Sequence, residues 1–374
     1  MRRATCLLVA LGVFTAAGAP DGIAAPAARP ATAPARGLPD VLGVTHVAGS
    51  YHLTEGDFLN EGAEKVLALG SRVIKLYLHK PRRSYPFSGT WPAVRTPTEL
   101  AATAPYRAVF RKPFTTYVLT VYSMGRPEHY WTKGISPEQK AEETRQFHEL
   151  TRHLLTTYRG TGKTFVLQHW EGDWAIRGSF DRKADPTPVA IRGMIDWLGA
   201  RQAGVDKARA EAPRRGVRVF HAAEVNRVAA TMRQKRPGVV DRVLPHTRLD
   251  LVSYSAWDSQ GDGVTFRKAL DFIAAHMPDR EPFGARNVYV GEFGAPENDF
   301  APAKVRATVR NVVRTARDWG CPYVIYWQLY CNEPRRRPVR KNDDCRGFWL
   351  IRPDGTRAWT WGYLRGLLAG RQGA

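Results

Sequence analysis

Residues 163–225 hold one complete instance of the pattern that decides the fold: KTFVLQHW (163–170), a segment with helical periodicity from Pro188 to Ala212, and VRVFHAAEV (217–225). The two outer runs are short, apolar and rich in β-branched and aromatic residues, the composition of strands buried on both faces. The segment between them repeats its apolar residues at helical spacing. Strand, helix and strand in this order form a parallel crossover unit.

Outward from this unit the pattern recurs. VLGVTHV (41–47), RVIKLYLH (72–79) and TTYVLTVYS (115–123) precede it, and LDLVSYSAW (249–257), NVYVGEF (287–293) and YVIYWQLY (323–330) follow, which makes eight strand-like runs. Helical periodicity fills the intervals over Asn60 to Gly70, Pro97 to Lys112, Ser136 to Tyr158, Ala229 to Lys235, Thr265 to His276 and Ala301 to Trp319. Eight strands alternating with helices predict an α/β fold, a single (β/α)8 TIM barrel over residues 38–374. The rival is an open doubly wound sheet, but the first run is followed by THVAGSYHLTEGD, which lacks the G-x-G-x-x-G phosphate turn of that class. GTGKT at 160–164 lacks the first glycine of a phosphate loop and precedes a strand instead of following one, so it reads as a turn.

Composition fits a globular domain: 374 residues, 43% apolar and 24% charged, which excludes disordered, collagenous and coiled-coil classes. Lys and Arg total 56 against 35 Asp and Glu, a net charge of +21, of which residues 1–36 supply little. Such a charge favours anionic partners without bearing on the fold. MRRATCLLVALGVFTAAGA (1–19) has two arginines, a short apolar run and small residues, so residues 1–27 are expected to be a signal peptide, with cleavage after Ala19, Ala24 or Ala27. Residues 28–37 continue as an Ala/Pro-rich linker. The expected product is secreted, either extracellular or periplasmic and cell-wall associated, with no membrane span because no apolar run approaches about 20 residues. In an oxidising compartment Cys331 and Cys345 are expected to form a disulfide and Cys321 to stay free. No tight cysteine–histidine spacing points to zinc, and neither a metal nor an organic cofactor is expected.

Barrels of this kind build their sites at the C-terminal ends of the strands. The fourth run ends HWEGDW, the fifth HAAEVN, the sixth SYSAWD, the seventh GEFGAPEN and the eighth YWQLYCNE. These ends gather carboxylates, aromatics and amides, with neither a G-x-S-x-G elbow nor a metal cluster. Glycosidic bond cleavage needs two carboxyl groups facing across the scissile bond. Glu171 and Glu292 lie three strands apart on an eight-membered ring, nearly opposite each other, and Glu292 sits between two glycines. Glu224 is the reserve for the acid. Trp170, Trp257 and Trp327 offer apolar faces on which sugar rings pack.

At these positions the sequence resembles the clan of retaining (β/α)8 glycoside hydrolases called clan A, over roughly residues 38–365 and without pointing to one family. The resemblance implies an acid/base role for Glu171, a nucleophile role for Glu292, a subsite floor at Trp327, and Tyr254 hydrogen-bonding near the nucleophile. GFWLIRPDGT (347–356) is similar to the final strand and turn of many members. Two positions depart: Trp170 stands where an Asn usually precedes the acid/base Glu, and Lys75 where an Arg usually lies near the nucleophile. Asn226 or His221 is the candidate for the missing amide contact.

The expected activity is therefore hydrolysis of a polysaccharide or oligosaccharide by a two-glutamate retaining mechanism, in a monomer that binds no nucleic acid. The alternatives are a non-catalytic carbohydrate-binding barrel and a polysaccharide lyase or other carbohydrate-active enzyme. EPRRRPVRK (333–341) follows the eighth run, either as a solvated loop or as a clamp for an acidic glycan or cell-wall polymer.

Overall fold

Alternation along the eight apolar runs closes the sheet on itself. The computed structural model describes residues 37–212 and 216–371, so the expected signal peptide and all of the linker but Gly37 lie outside the described residues. The strands are β1 (Leu42–Thr45), β2 (Val73–Leu78), β3 (Thr116–Val121), β4 (Thr164–Gln168), β5 (Arg218–Val225), β6 (Leu251–Ser255), β7 (Val288–Phe293) and β8 (Val324–Tyr326). They form a closed parallel barrel in chain order, with β1 pairing both β2 and β8. Each strand leads to one main helix: α1 (Phe58–Leu69), α2 (Ala104–Arg111), α3 (Pro137–Thr157), α4 (Pro188–Glu211), α5 (Val228–Gln234), α6 (Gly263–His276), α7 (Pro302–Trp319) and α8 (Trp359–Leu368).

Two cores follow from the two faces of the strands. Val73, Val118, Val166, Phe220, Leu251, Tyr289, Tyr323 and Ile325 point inward and fill the barrel. Their strand neighbours Ile74, Leu119, Leu167, Val219, Val252 and Val290 point outward and pack under the helices. Full burial of one such aliphatic side chain is worth about 1.5–3 kcal/mol, so both faces must be apolar for the layered fold to persist. Helix starts follow the local chemistry. The Ser136 hydroxyl accepts from the Gln139 amide while the Gln139 side chain accepts from the Ser136 amide, and Asp57 and Asp262 cap α1 and α6.

The structure amends the expected helices in two places. The stretch from Pro97 to Lys112 is two helices, Pro97–Ala101 and α2, because the backbone turns extended at Thr103, whose hydroxyl donates back to the Leu100 carbonyl, and Pro105 suits the first turn of a fresh helix. Residues 347–356, expected as a strand and turn, make the turn at 353–355 but no strand, only a bridge between Ile351 and Arg357, and α8 follows unforeseen.

The register is regular except around β7, which shifts against β6 after Tyr254 and against β8 after Val290. Inward Tyr289 and inward Gly291 are followed by Glu292, which strict alternation would turn outward. The irregularity brings it inside instead, the usual consequence of a bulge. Gly291 is required there: a Cβ would lie 1.8 Å from Ser253 Oγ and 2.9 Å from Glu224 Oε1. Gly291→Ala is therefore expected to lower the stability of the fold by at least about 1–3 kcal/mol, read as a shift in the urea midpoint at unchanged slope.

Candidate active site

Strand alternation places Lys75 and Tyr77 of β2 on the inner face, with Gln168 of β4, Glu224 of β5, Ser253 of β6 and, through the bulge, Glu292 of β7. Lys75 is wholly buried and spans the barrel: its Nζ donates to Glu224 Oε1 at 2.9 Å, to Glu292 Oε1 at 2.8 Å and to the Gly291 carbonyl at 3.3 Å. Burial works against the ammonium, but the two carboxylates outweigh it and hold Lys75 above its ordinary value.

The two carboxylates on this lysine differ in their other donors. Glu224 accepts from Gln168 Nε2 at 2.9 Å and Ser253 Oγ at 2.8 Å, and its Oε2 accepts from the Glu171 backbone amide at 2.9 Å. Burial alone would raise its carboxyl, yet Lys75 and these donors hold it below the usual range, so it stays ionised. Gln168 is in turn fixed by the Tyr289 hydroxyl, which donates to its Oε1. Glu292 has Lys75 and, on Oε2, Trp257 Nε1–H at 3.3 Å. Burial pushes its carboxyl up to about 7, with Glu224 adding to the rise and Lys75 and Trp257 opposing it.

Glu171 lies three residues beyond β4 with φ +33° and ψ 71°, a left-handed backbone that a non-glycine residue adopts only under constraint. The constraint is visible: its amide is tied to Glu224, the preceding Trp170 amide donates to Tyr122 Oη at 3.0 Å, and Gly172 has room for no Cβ against the Glu224 carbonyl. Among the described residues no group hydrogen-bonds the Glu171 carboxyl. Burial, then the charges of Glu292 and Glu224, hold it well above the ordinary carboxylate range, which favours its protonated form. His169 is neutral, lowered to about 4 chiefly by burial, and its Nε2 accepts from the Glu224 amide.

Of the residues singled out in the sequence, Lys75, Glu224, Glu292 and Trp257 meet in one hydrogen-bonded cluster, with Glu171 attached through its amide. Trp170 lies next to Glu171 and is partly exposed; Trp327 follows β8, nearly buried, its amide bonded to the Phe293 carbonyl. Glu224 is consumed by four donors and is an anchor, not a reserve acid. Two expected contacts are corrected, and a third is narrowed to one atom of its amide. Tyr254 faces outward onto Phe266 of α6, and its hydroxyl pairs with Asp258 and Ser259. His221 also faces outward, against Phe147 and Gln202, because it is one residue out of phase with inward Phe220 and Ala222. Asn226 spends its Oδ1 on the Asp173 amide.

The sequence reading missed Gln168, Ser253 and Tyr289, the struts of Glu224, and Tyr77, whose hydroxyl has no hydrogen-bond partner among the described residues and senses Glu292, Glu224 and Glu171. Tyr77 shares the inner face with Lys75 at i+2, so strict period-two counting from Lys75 would have found it. The expected disulfide is not formed in this structure, where Cys321, Cys331 and Cys345 are free thiols. Cys331 and Cys345 nevertheless touch, and their hydrogen bond is the largest cause of the fall of Cys331 to about 6 and of the rise of Cys345. Among the described residues no group of three or more His, Cys, Asp or Glu side chains is arranged to hold a metal ion, and no helix is long and apolar enough to cross a membrane.

No protein-family model and no curated protein matches the sequence. Solved structures do match by shape. A GH5_18 from Bifidobacterium longum subsp. infantis superposes with a TM-score of 0.57 at 13% identity, over 89% of this chain and 79% of the other. An exo-β-1,4-mannosidase from Opitutaceae bacterium strain TAV5 gives 0.53 at 14%, over 88% and 59%. A β-glucuronidase from Bacteroides uniformis gives 0.52 at 10%, over 90% of this chain but only 35% of its own. The chain thus spans about a third of the length of the glucuronidase it matches. These glycoside hydrolases share with it the closed eight-stranded parallel barrel, and at such identities the likeness is one of fold.

One lysine facing two carboxylates leaves an excess negative charge when both ionise, and the weaker donor set puts that excess on Glu292. Glu292→Gln removes it. The folded carboxyl titrates at about 7, above the unfolded value of about 4.3, so ionisation costs the wild type stability as pH rises through this window. In urea unfolding the Gln variant is expected to gain on the wild type from about pH 4.3 upward, reaching roughly 4 kcal/mol above pH 7. Glu224→Gln is expected to do the reverse and cost about 3–5 kcal/mol at pH 7, because it strips a fully buried partner from Lys75.

Proposed function

We propose that the protein is a glycoside hydrolase that cleaves a polysaccharide or oligosaccharide by a retaining double displacement. The observation that carries this reading is the pair of unlike carboxyls at the mouth: Glu171 held well above the ordinary carboxylate range and without a hydrogen-bond partner, Glu292 at about 7 with Lys75 and Trp257 donating to it. Two carboxyl groups driven to different protonation states by their surroundings are what an acid and a nucleophile require. The glycoside hydrolases that share the barrel support the same class of reaction.

In the first step Glu292 Oε attacks the anomeric carbon as the Glu171 proton passes to the leaving oxygen, giving a glycosyl ester and a neutral alcohol. In the second, Glu171, now a carboxylate, takes a proton from water as the water oxygen displaces Glu292. Lys75 orients Glu292 and offsets its returning charge, and Tyr77 and Trp257 line the approach. Both carboxyls come from one chain, which supports action as a monomer. The substrate we favour is anionic: Arg335 is spent on Asp299, but the side chains of Arg336, Arg337, Arg340 and Lys341 stand exposed and outside any salt bridge among the described residues in the loop after β8, with Asp344 a carboxylate whose charge is felt by Arg336 and Lys341. We further propose that the protein is exported by its N-terminal segment and that Cys331 and Cys345 oxidise to a disulfide in that compartment.

Screening aryl glycosides, uronides included, with NMR detection of the first-formed product tests the reading. Retention of anomeric configuration is expected. Glu171→Gln is expected to lose about 10²–10⁴-fold on alkyl glycosides but far less on substrates with activated leaving groups, and Glu292→Gln to lose turnover on both. Activity should rise with pH through about 7 as Glu292 ionises, and fall at higher pH as Glu171 gives up its proton. Inverted product, or full turnover in either Gln variant, would sink the proposal.

A further inference from the structure

The helical layer carries a second feature that the carboxylate cluster does not use. Helix α7 places Arg306, Arg310, Arg314 and Arg317 at spacings of four, four and three residues, on one exposed face opposite its buried valines. Like charges at such spacing repel, so the stripe costs the helix stability. Several arginines elsewhere are matched, Arg145 by Glu142 and Glu149, Arg280 by Asp206, Arg346 by Asp299 and Glu333. Here they are not: none of these four side chains has an ion-pair or hydrogen-bond partner among the described residues. Residues 355–371, which contain α8, hold no carboxylate and add exposed Arg357, Arg365 and Arg371, equally unpartnered.

These cations surround an aromatic platform. Trp359 and Tyr363, one helical turn apart on α8, stack with centroids 5.0 Å apart and planes 13° from parallel. The guanidinium carbons of Arg306 and Arg310 lie 5.5 and 5.3 Å from the Trp359 centroid. Beside the platform a cavity of about 820 Å³ is lined by Arg310, Arg357, Trp359, Tyr363, Arg365 and Arg371. Trp359 and Arg306 also line a second cavity, of about 400 Å³, that reaches Glu297 and Asn298 in the loop leaving β7, the strand of Glu292. The two hollows share Trp359, so the basic surface runs from the outer helices towards the side of the barrel that holds the carboxyl pair.

We propose that the α7–α8 face is a second carbohydrate site that binds a chain of carboxylate-bearing sugars, with guanidinium forks on the carboxylates and the aromatic pair under a sugar ring. The choice of a glycan among polyanions rests on the glycosidase reading above. The basic face itself does not.

Binding is measured on the full chain carrying Glu292→Gln, so the result is independent of turnover, with polygalacturonate as probe at about 100 mM salt, where exposed charges interact only over about 10 Å. Adding R310Q/R314Q is expected to weaken the affinity by about tenfold. Adding R107Q/R111Q, two exposed arginines on α2, removes the same charge elsewhere and is expected to leave the affinity unchanged; neutral dextran should not bind. Equal losses in the two double variants would mean that net charge alone binds the polymer, and would overturn the site. Tighter binding of duplex DNA or of phosphatidylglycerol vesicles than of polygalacturonate, lost with R310Q/R314Q, would assign the face to another partner and overturn the glycan. If the glycosidase assays fail while polygalacturonate binding still depends on Arg310 and Arg314, the second site stands without the first.

Discussion

A single ammonium, Lys75 Nζ, held between Glu224 and Glu292 in the dry interior of the barrel, is the contact on which the rest of the site depends. It ties β2 to β5 and β7, strands that do not pair with one another, so the inner face is cross-linked by charge above its apolar plug. A buried lysine is tolerable only with partners this close, and the partners only with the lysine. Because Glu224 is saturated by four donors, every freedom of protonation in the cluster falls to Glu292 and Glu171. The fold thereby assigns unlike roles to chemically equal side chains.

The support extends outward in layers. Tyr289 fixes Gln168, Gln168 fixes Glu224, and the Glu224 carboxylate fixes the backbone of Glu171. On the other side Tyr122 receives the Trp170 amide and packs against Trp197 and Arg201, the latter paired in the helical layer with Glu143. Helices α3 and α4 thus reach the mouth of the barrel through one tyrosine hydroxyl.

The architecture was legible because two-sided burial of parallel strands writes continuous apolar runs, and each of the eight runs contains an observed strand. Position around the ring was legible for the same reason, which is how Glu171 and Glu292 could be set opposite each other from the chain alone. What a run does not display is phase. His221 and Tyr254 are polar residues near strand ends, but they sit on the outer face, where Gln202 and Asp258 satisfy them. The bulge of β7 is invisible to alternation and becomes apparent only as the close approach of Gly291 to Ser253. Glu224 was read as a reserve acid because a carboxylate at a strand end looks alike whether it is free to titrate or is spent holding another residue's backbone. Pro105, by contrast, was a readable signal for a helix break in the stretch expected as one helix.

The left-handed backbone of Glu171 has an evolutionary consequence. The fold uses this residue through its backbone alone, its amide donating to Glu224 and its carbonyl accepting from Trp174 and Ala175, while its φ of +33° is one that glycine or asparagine occupies with less strain. Drift to either residue would keep the anchor to Glu224, relieve the local strain and remove a carboxyl that is costly to bury. On the proposed mechanism such a barrel would be more stable and inert, so folding alone does not call for a glutamate at this position.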